Sequence, residues 1–270
     1  MEDQKKFVSE TMAKLAAMTP YQKAQWKCEL VNKEKGTYDP AEYDCPECLN
    51  KGFRLKPLEN GDTVSVVCRC MRIRESIWAA QASGMDELLR RCSFDNYRVH
   101  SDWSAGLKKT AWDWARQKDT AWMLLCGQSG CGKTHLAAAA CAYRIFADFQ
   151  KVKFLSWREF NDGQYQGADR GEQDLFLKRF MNAKLLYIDD LLKLDESRKA
   201  LPPWETELAF KLLNYRTNKN LPTIVTTEHT PDALLKIDEA TASRILERAK
   251  GYTFTVEKDR KKNYRLRIAV

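Results

Sequence analysis

Gly127-Gln128-Ser129-Gly130-Cys131-Gly132-Lys133-Thr134, directly after the apolar run Trp122-Met123-Leu124-Leu125-Cys126, decides the fold of this chain. It fills every fixed position of the phosphate-binding P-loop pattern and lies between a buried strand and an alanine-rich helix over 136–147. Glycines let the backbone wrap round an anion so that several amide N–H groups point inward. The following helix adds the positive end of its dipole to the same place. In such a loop Lys133 pairs with the β- and γ-phosphates and the Thr134 hydroxyl sits on Mg²⁺. The stretch predicts a nucleoside triphosphate site.

Further along, Leu185-Leu186-Tyr187-Ile188 runs into Asp189-Asp190, an apolar strand ending in paired carboxylates. A strand of this kind is expected beside the P-loop strand, delivering an acid to the magnesium shell. Asp189 is then the Mg²⁺-linked acid, and Asp190 orients or deprotonates the attacking water; the competing reading is that the two acids cap the next helix. From Ser93 onward strands near 121–126, 152–156, 185–188 and 223–227 alternate with helices, including 172–182 and 204–218. That alternation predicts an α/β fold with a parallel sheet and helices on both faces. Thr223-Ile-Val-Thr-Thr227 ends at the side of the sheet where such folds bind ligands, which makes Thr227 or Glu228 a candidate γ-phosphate sensor.

Composition bounds the rest. A chain of 270 residues holds one medium ATPase core and a small accessory domain. The net charge of +8, from 45 basic and 37 acidic residues, suits nucleic acid, and a lysine-rich surface would give the same excess. No apolar run approaches the ~18 residues of a membrane span, and MEDQKKFVSE has no signal-peptide core, so a cytoplasmic protein is expected. Nine cysteines in a reducing compartment point to metal or buried thiols.

Four of these cysteines are clustered. Cys45-Pro-Glu-Cys48 and Cys68-Arg-Cys70 bracket a segment that reads as a β-hairpin, with strands 53–55 and 63–67 and a turn at 60–62. Two cysteine pairs at a hairpin base can supply the four thiolates of a structural Zn²⁺ site, with Gly52 shaping the turn that aims amides at the sulfurs. Cys28 and Cys92 stand as substitute ligands, because the second pair is CxC; Cys126, Cys131 and Cys141 read as packed apolar residues. Residues 4–33 read as helix broken at Pro20, and 72–91 as helix interrupted by Gly84. The expected organisation is a helical, zinc-binding docking domain over 1–92 and an ATPase domain over 93–270.

Residues 238–248 read as a helix ending at Gly251, with Arg244 and Arg248 one turn apart on one face. An arginine offered to a neighbour's γ-phosphate would make hydrolysis depend on self-association. The tail 263–268 alternates like an edge strand that would return Arg265 to the nucleotide. Lys193, Lys199, Arg216 and Lys219 are candidate DNA contacts by charge alone.

GQSGCGKTHLA, LLYIDDLLK, LLNYRTNKNLPTIVTTE, ASRILERAKGY and KNYRLR, in that order, resemble the AAA+ helicase loaders of the DnaC/DnaI type, above all loader-like proteins of phages and prophages. CPECLNKGF with CRC resembles the zinc-bearing N-terminal domain of DnaI-like loaders. The resemblance implies an AAA+ ATPase using ATP and Mg²⁺. It also implies docking on a replicative DnaB-type helicase and delivery of that helicase to single-stranded DNA during replication. Residue by residue, Gly127 to Thr134 with His135 match the nucleotide loop, Asp189 and Asp190 the acidic pair, Arg244 the arginine finger and Arg265 the second sensor arginine. Two positions depart: Asp190 stands where most AAA+ proteins carry Glu, which implies slow hydrolysis, and Glu228 where many carry a sensor Asn. An ionised Glu228 cannot donate to phosphate, which leaves Thr227 as the alternative. IstB-type transposition helpers share the GKTHLA core, but typically lack a cysteine-bearing hairpin. A small-molecule kinase would need neither the finger nor the zinc module. An initiator-like protein would be expected to add a helix-turn-helix after Arg265.

Overall fold

The computed structural model describes residues 15–159, 170–194 and 200–267, so the helix expected from residue 4 is described only from Leu15. The chain divides into two compact units, Met1–Glu75 and Ser76–Val270. The division falls inside the helix Cys70–Gln81, N-terminal of the 92/93 boundary read from the sequence.

In the first unit, Pro20–Lys33 is a helix that starts on a capping box. The Thr19 hydroxyl accepts from the Gln22 N–H, and the Gln22 side chain accepts from the Thr19 N–H. The hairpin is present as β1 (Phe53–Pro57) and β2 (Thr63–Val67), antiparallel, with Phe53 opposite Val67 and Pro57 opposite Thr63. Asn32 ties the helix to this ribbon by hydrogen bonds from its amide to the Leu55 carbonyl and from the Leu55 N–H to its own carbonyl, both 3.0 Å.

The second unit is built on a five-stranded parallel sheet of β3 (Met123–Gly127), β4 (Val152–Ser156), β5 (Leu185–Asp189), β6 (Thr223–Thr227) and β7 (Thr253–Val256). The order is β4-β5-β6-β3-β7. This is the AAA+ P-loop fold. The acid-bearing β5 does not lie beside the P-loop strand as expected, because β6 runs between them. Strand neighbours are chosen by the crossovers, and local sequence does not encode them.

β3, β5 and β6 are buried runs, and Trp122, Leu124, Leu186, Ile188 and Val225 form one core with Ala209, Leu212 and Ile245 of the helices Pro203–Asn218 and Glu239–Arg248. The helix expected over 72–91 is two helices, Cys70–Gln81 and Asp86–Arg91. Gly84 at φ 87° separates them, a conformation no helix contains. The tail is not an edge strand. β7 occupies the edge beside β3, and Asp259 caps a 3₁₀ turn (Arg260–Lys262) that leads into the short helix Tyr264–Arg267. Among the described residues no helix is long and apolar enough to cross a membrane.

Candidate functional site

The loop between β3 and the helix Lys133–Asp148 closes tightly on itself. Lys133, 5% exposed, donates to the carbonyls of Gly127 at 2.8 Å and Gln128 at 2.9 Å. The Gln128 side chain donates to the Ser129 carbonyl and accepts from the Asp259 N–H. Cys131 is buried, as expected of an apolar packing residue, and its carbonyl accepts from the Tyr97 hydroxyl at 3.4 Å. His135 is drawn the same way: its ring nitrogen meets the Ser93 carbonyl at 2.9 Å and its ring packs edge-on to Tyr97. It holds the 93–97 segment against the loop.

Asp189 arrives from β5 at the start of that helix. Its Oδ1 accepts from the hydroxyls of Thr134 at 3.0 Å, Tyr187 at 2.6 Å and Thr226 at 2.5 Å. Burial, and then the charge of Asp190, hold its carboxyl above the usual range against the pull of those three donors. Thr134 and Asp189 thus bring two oxygens together, which is the donor set a hard divalent cation takes. Thr226 was not picked out from the sequence. Its hydroxyl also accepts from the Asp190 N–H at 3.1 Å, and so fixes the left-handed turn at Asp190 (φ 57°). The only sequence signal for it is a hydroxyl one step inside a β-branched strand.

Neither sensor candidate has the expected posture. Thr227 is fully buried, with its hydroxyl donating to the Leu191 carbonyl at 2.9 Å and accepting from the His229 N–H. Its hydroxyl is therefore bound to the loop after β5. Glu228 lies in an ion pair: Lys193 Nζ is 2.8 Å from its Oε1 and 2.9 Å from Asp190 Oδ2. Burial would raise the Glu228 carboxyl, but the Lys193 contact outweighs it and holds the group low.

The arginines separate. Arg244 is half-buried on its own helix, bonded to Asn214 Oδ1 at 3.0 Å and lying over the Phe210 ring at 5.0 Å. Arg248 is tied to Thr120 and Asn220. Arg265 is exposed on the short helix Tyr264–Arg267. Arg216 cannot be a DNA contact: it is fully buried and its guanidinium donates to four carbonyls and to Thr223. Lys193 is held in the ion pair described above, Lys199 lies outside the described residues, and Lys219 alone of the four is exposed and placed by the structure.

In the first unit Cys45, Cys48, Cys68 and Cys70 are all buried, and their four sulfurs lie within 4.8 Å of one another. The pairs Cys45–Cys68 and Cys48–Cys70 are 3.8 and 3.5 Å apart. Zinc–sulfur bonds of about 2.3 Å in a tetrahedron require edges of about 3.8 Å, so the set fits that ion. Burial would raise the Cys48 thiol, but the Gly52 N–H at 3.3 Å and the neighbouring sulfurs outweigh it and lower it to about 7. Arg74 and Asn50 brace the loop behind, with Asn50 Oδ1 accepting from both Arg74 and the Cys45 N–H. Cys28 and Cys92 are buried elsewhere and are not in the cluster.

Residues 89–249 match the family model of the bacterial DnaA ATPase domain. The chain is 29% identical over 228 residues to the phage-like element PBSX protein XkdC of Bacillus subtilis (strain 168), covering 81% of this chain and 84% of that one. It is 25% identical over 160 residues to the replicative helicase loader DnaC of Escherichia coli (strain K12), covering 57% and 62%. The crystal structure of the DnaC helicase loader superposes with a TM-score of 0.53 at 22% identity, over 62% of this chain and 98% of that one. Domain III of the Thermotoga maritima replication initiation protein DnaA gives 0.50 at 18%, over 63% and 69%. These last two are likenesses of fold.

Proposed function

The chain belongs to the family of bacterial DnaA ATPase domains, and from that premise we propose that it is an ATP-controlled loader that delivers a replicative DnaB-type helicase to single-stranded DNA. The observation that supports this reading most is the similarity over 160 residues to the Escherichia coli loader DnaC, joined to a phosphate loop whose Thr134 meets the acid Asp189. Lys133 binds the β- and γ-phosphates once they displace its two carbonyl partners. Thr134 and Asp189 are the residues that would hold Mg²⁺, which supplies charge neutralisation of the phosphates. Asp190, fixed by Thr226, orients the attacking water. Its short side chain makes turnover slow.

Arg244 serves the γ-phosphate of a neighbouring copy, and Arg265 the nucleotide of its own chain, so that hydrolysis follows self-association and tail closure. Cys45, Cys48, Cys68 and Cys70 hold a structural Zn²⁺ in the first unit, and residues 1–92 dock on the helicase. The test is native mass spectrometry of the full chain mixed with a DnaB-type helicase of its host, with and without ATP. A nucleotide-dependent complex lost in Cys45→Ser/Cys48→Ser supports the reading. A folded helicase that forms no complex refutes it and moves the ATPase to another DNA-remodelling partner, such as a transposition complex.

A further inference from the structure

Lys193 follows the acid strand by a turn whose backbone is fixed twice: its N–H donates to the Asp190 carbonyl at 3.1 Å, and the Leu191 N–H donates to the Thr226 carbonyl at 2.9 Å. Its ammonium therefore stands at a set position between two carboxylates from neighbouring strands, 2.9 Å from Asp190 and 2.8 Å from Glu228. After Lys193, the Ser129 side chain and the charge of Lys133, both of the phosphate loop, help to hold the Glu228 carboxyl low. Asp190 of this triad directly follows Asp189, whose carboxylate is bonded to Thr134 at the end of the loop. Without the lysine, two carboxylates would face the end of a bound polyphosphate, and each would repel it. A diphosphate ends sooner and feels this less.

We propose that Lys193 is the positioning residue that lets this site take a triphosphate in preference to a diphosphate: it neutralises Glu228, holds Asp190 in line and presents its remaining N–H to the γ-phosphate. Ammonium groups suit this, because three rotatable donors serve two carboxylates and one further acceptor. The position of Glu228 follows from the same logic. An acid where a donor would be expected is tolerated at the phosphate mouth only as one half of a pair, and together Glu228 and Lys193 supply the polar contact that Thr227 does not.

The inference rests on the ATPase reading, and the experiment separates the two. ADP and the non-hydrolysable analogue AMPPCP, each with Mg²⁺, are titrated by calorimetry into the wild-type chain, Lys193→Met, Lys193→Arg and Lys193→Met/Glu228→Gln. Lys193→Met should lose about tenfold in AMPPCP affinity relative to ADP, as expected for an uncompensated charge in a partly solvated site. Lys193→Arg should keep most of the discrimination, and the double variant should regain part of it, since Glu228→Gln removes one of the two repelling charges. Equal losses for both nucleotides, or no loss, would overturn the role of Lys193. A wild-type chain that binds neither nucleotide would instead sink the ATPase reading on which it stands.

Discussion

Replacing Arg216 by methionine measures whether this cation belongs to the core or to a DNA-binding surface. Its guanidinium donates to the carbonyls of Phe180, Met181, Ala183 and Pro222 and to the Thr223 hydroxyl, at 2.7 to 3.0 Å. Phe180 and Pro222 keep second partners in the N–H groups of Ala183 and Leu186. Among the described residues the carbonyls of Met181, which ends the helix Arg170–Met181, and of Ala183 just after it take their side-chain hydrogen bonds from Arg216. Two buried acceptors left unsatisfied cost about 1–3 kcal/mol each. Relief of the buried charge offsets part of this, so the net loss should be about 3 kcal/mol. In a unit of this size that lowers Tm by about 6–12 °C, at about 2–4 °C per kcal/mol. Thermal unfolding of Arg216→Met beside Lys219→Ala reads it directly: the first should melt early, and the second should melt with the wild type. Normal stability in Arg216→Met with weakened binding to single-stranded DNA would refute the core assignment.

Metal analysis of the purified chain should return one zinc, lost in Cys45→Ser/Cys48→Ser together with the ordered ribbon of β1 and β2; a folded, metal-free wild type would refute the site. Arg244→Ala should leave ATP bound while turnover in the assembled state falls about 10³-fold or more, as for other arginines supplied across an interface. Unchanged turnover would return Arg244 to its visible role, bonding Asn214 within its own chain.

Much of this was legible because phosphate and magnesium chemistry demand particular residues at fixed spacing. The loop from Gly127 to Thr134 and the acid pair stand out in the sequence for that reason, and four of the five parallel strands lie where the sequence places them. β7 does not stand out, because Thr253-Phe254-Thr255-Val256 is only four residues long and largely half-buried, with no continuous apolar run to mark it. Strand order was not legible either, so β6 appeared between β5 and β3 unannounced. Charge is equally mute about burial: Arg216 and Lys219 are neighbours in sequence, yet one is inside and the other outside. The Lys193 bridge was hidden for a related reason, since Asp190 and Glu228 meet only when the strands are laid side by side.

The phosphate loop owes its shape to residues outside its motif. Gly127 has φ 94°, and a Cβ there would fall 2.0 Å from the Val256 carbonyl oxygen of β7. At Gly130, with φ 69°, it would fall 2.0 Å from Asn263 Oδ1, and the Tyr264 N–H donates to the Gly130 carbonyl at 3.0 Å. Strand and tail thus press on the loop at its two tightest glycines, so the motif's glycines answer to chain packing as well as to phosphate. The same closeness sets what a nucleotide must do on entry. Lys133 has two carbonyl partners, so in its proposed role binding would exchange neutral acceptors for charged phosphate oxygens, and only the difference would appear as affinity. Charge-assisted bonds are roughly twice as strong as neutral ones, which makes the exchange favourable for the phosphates while a neutral ligand gains nothing from it. A lysine bonded to its own loop's carbonyls would therefore discriminate by charge before any contact to a base is made.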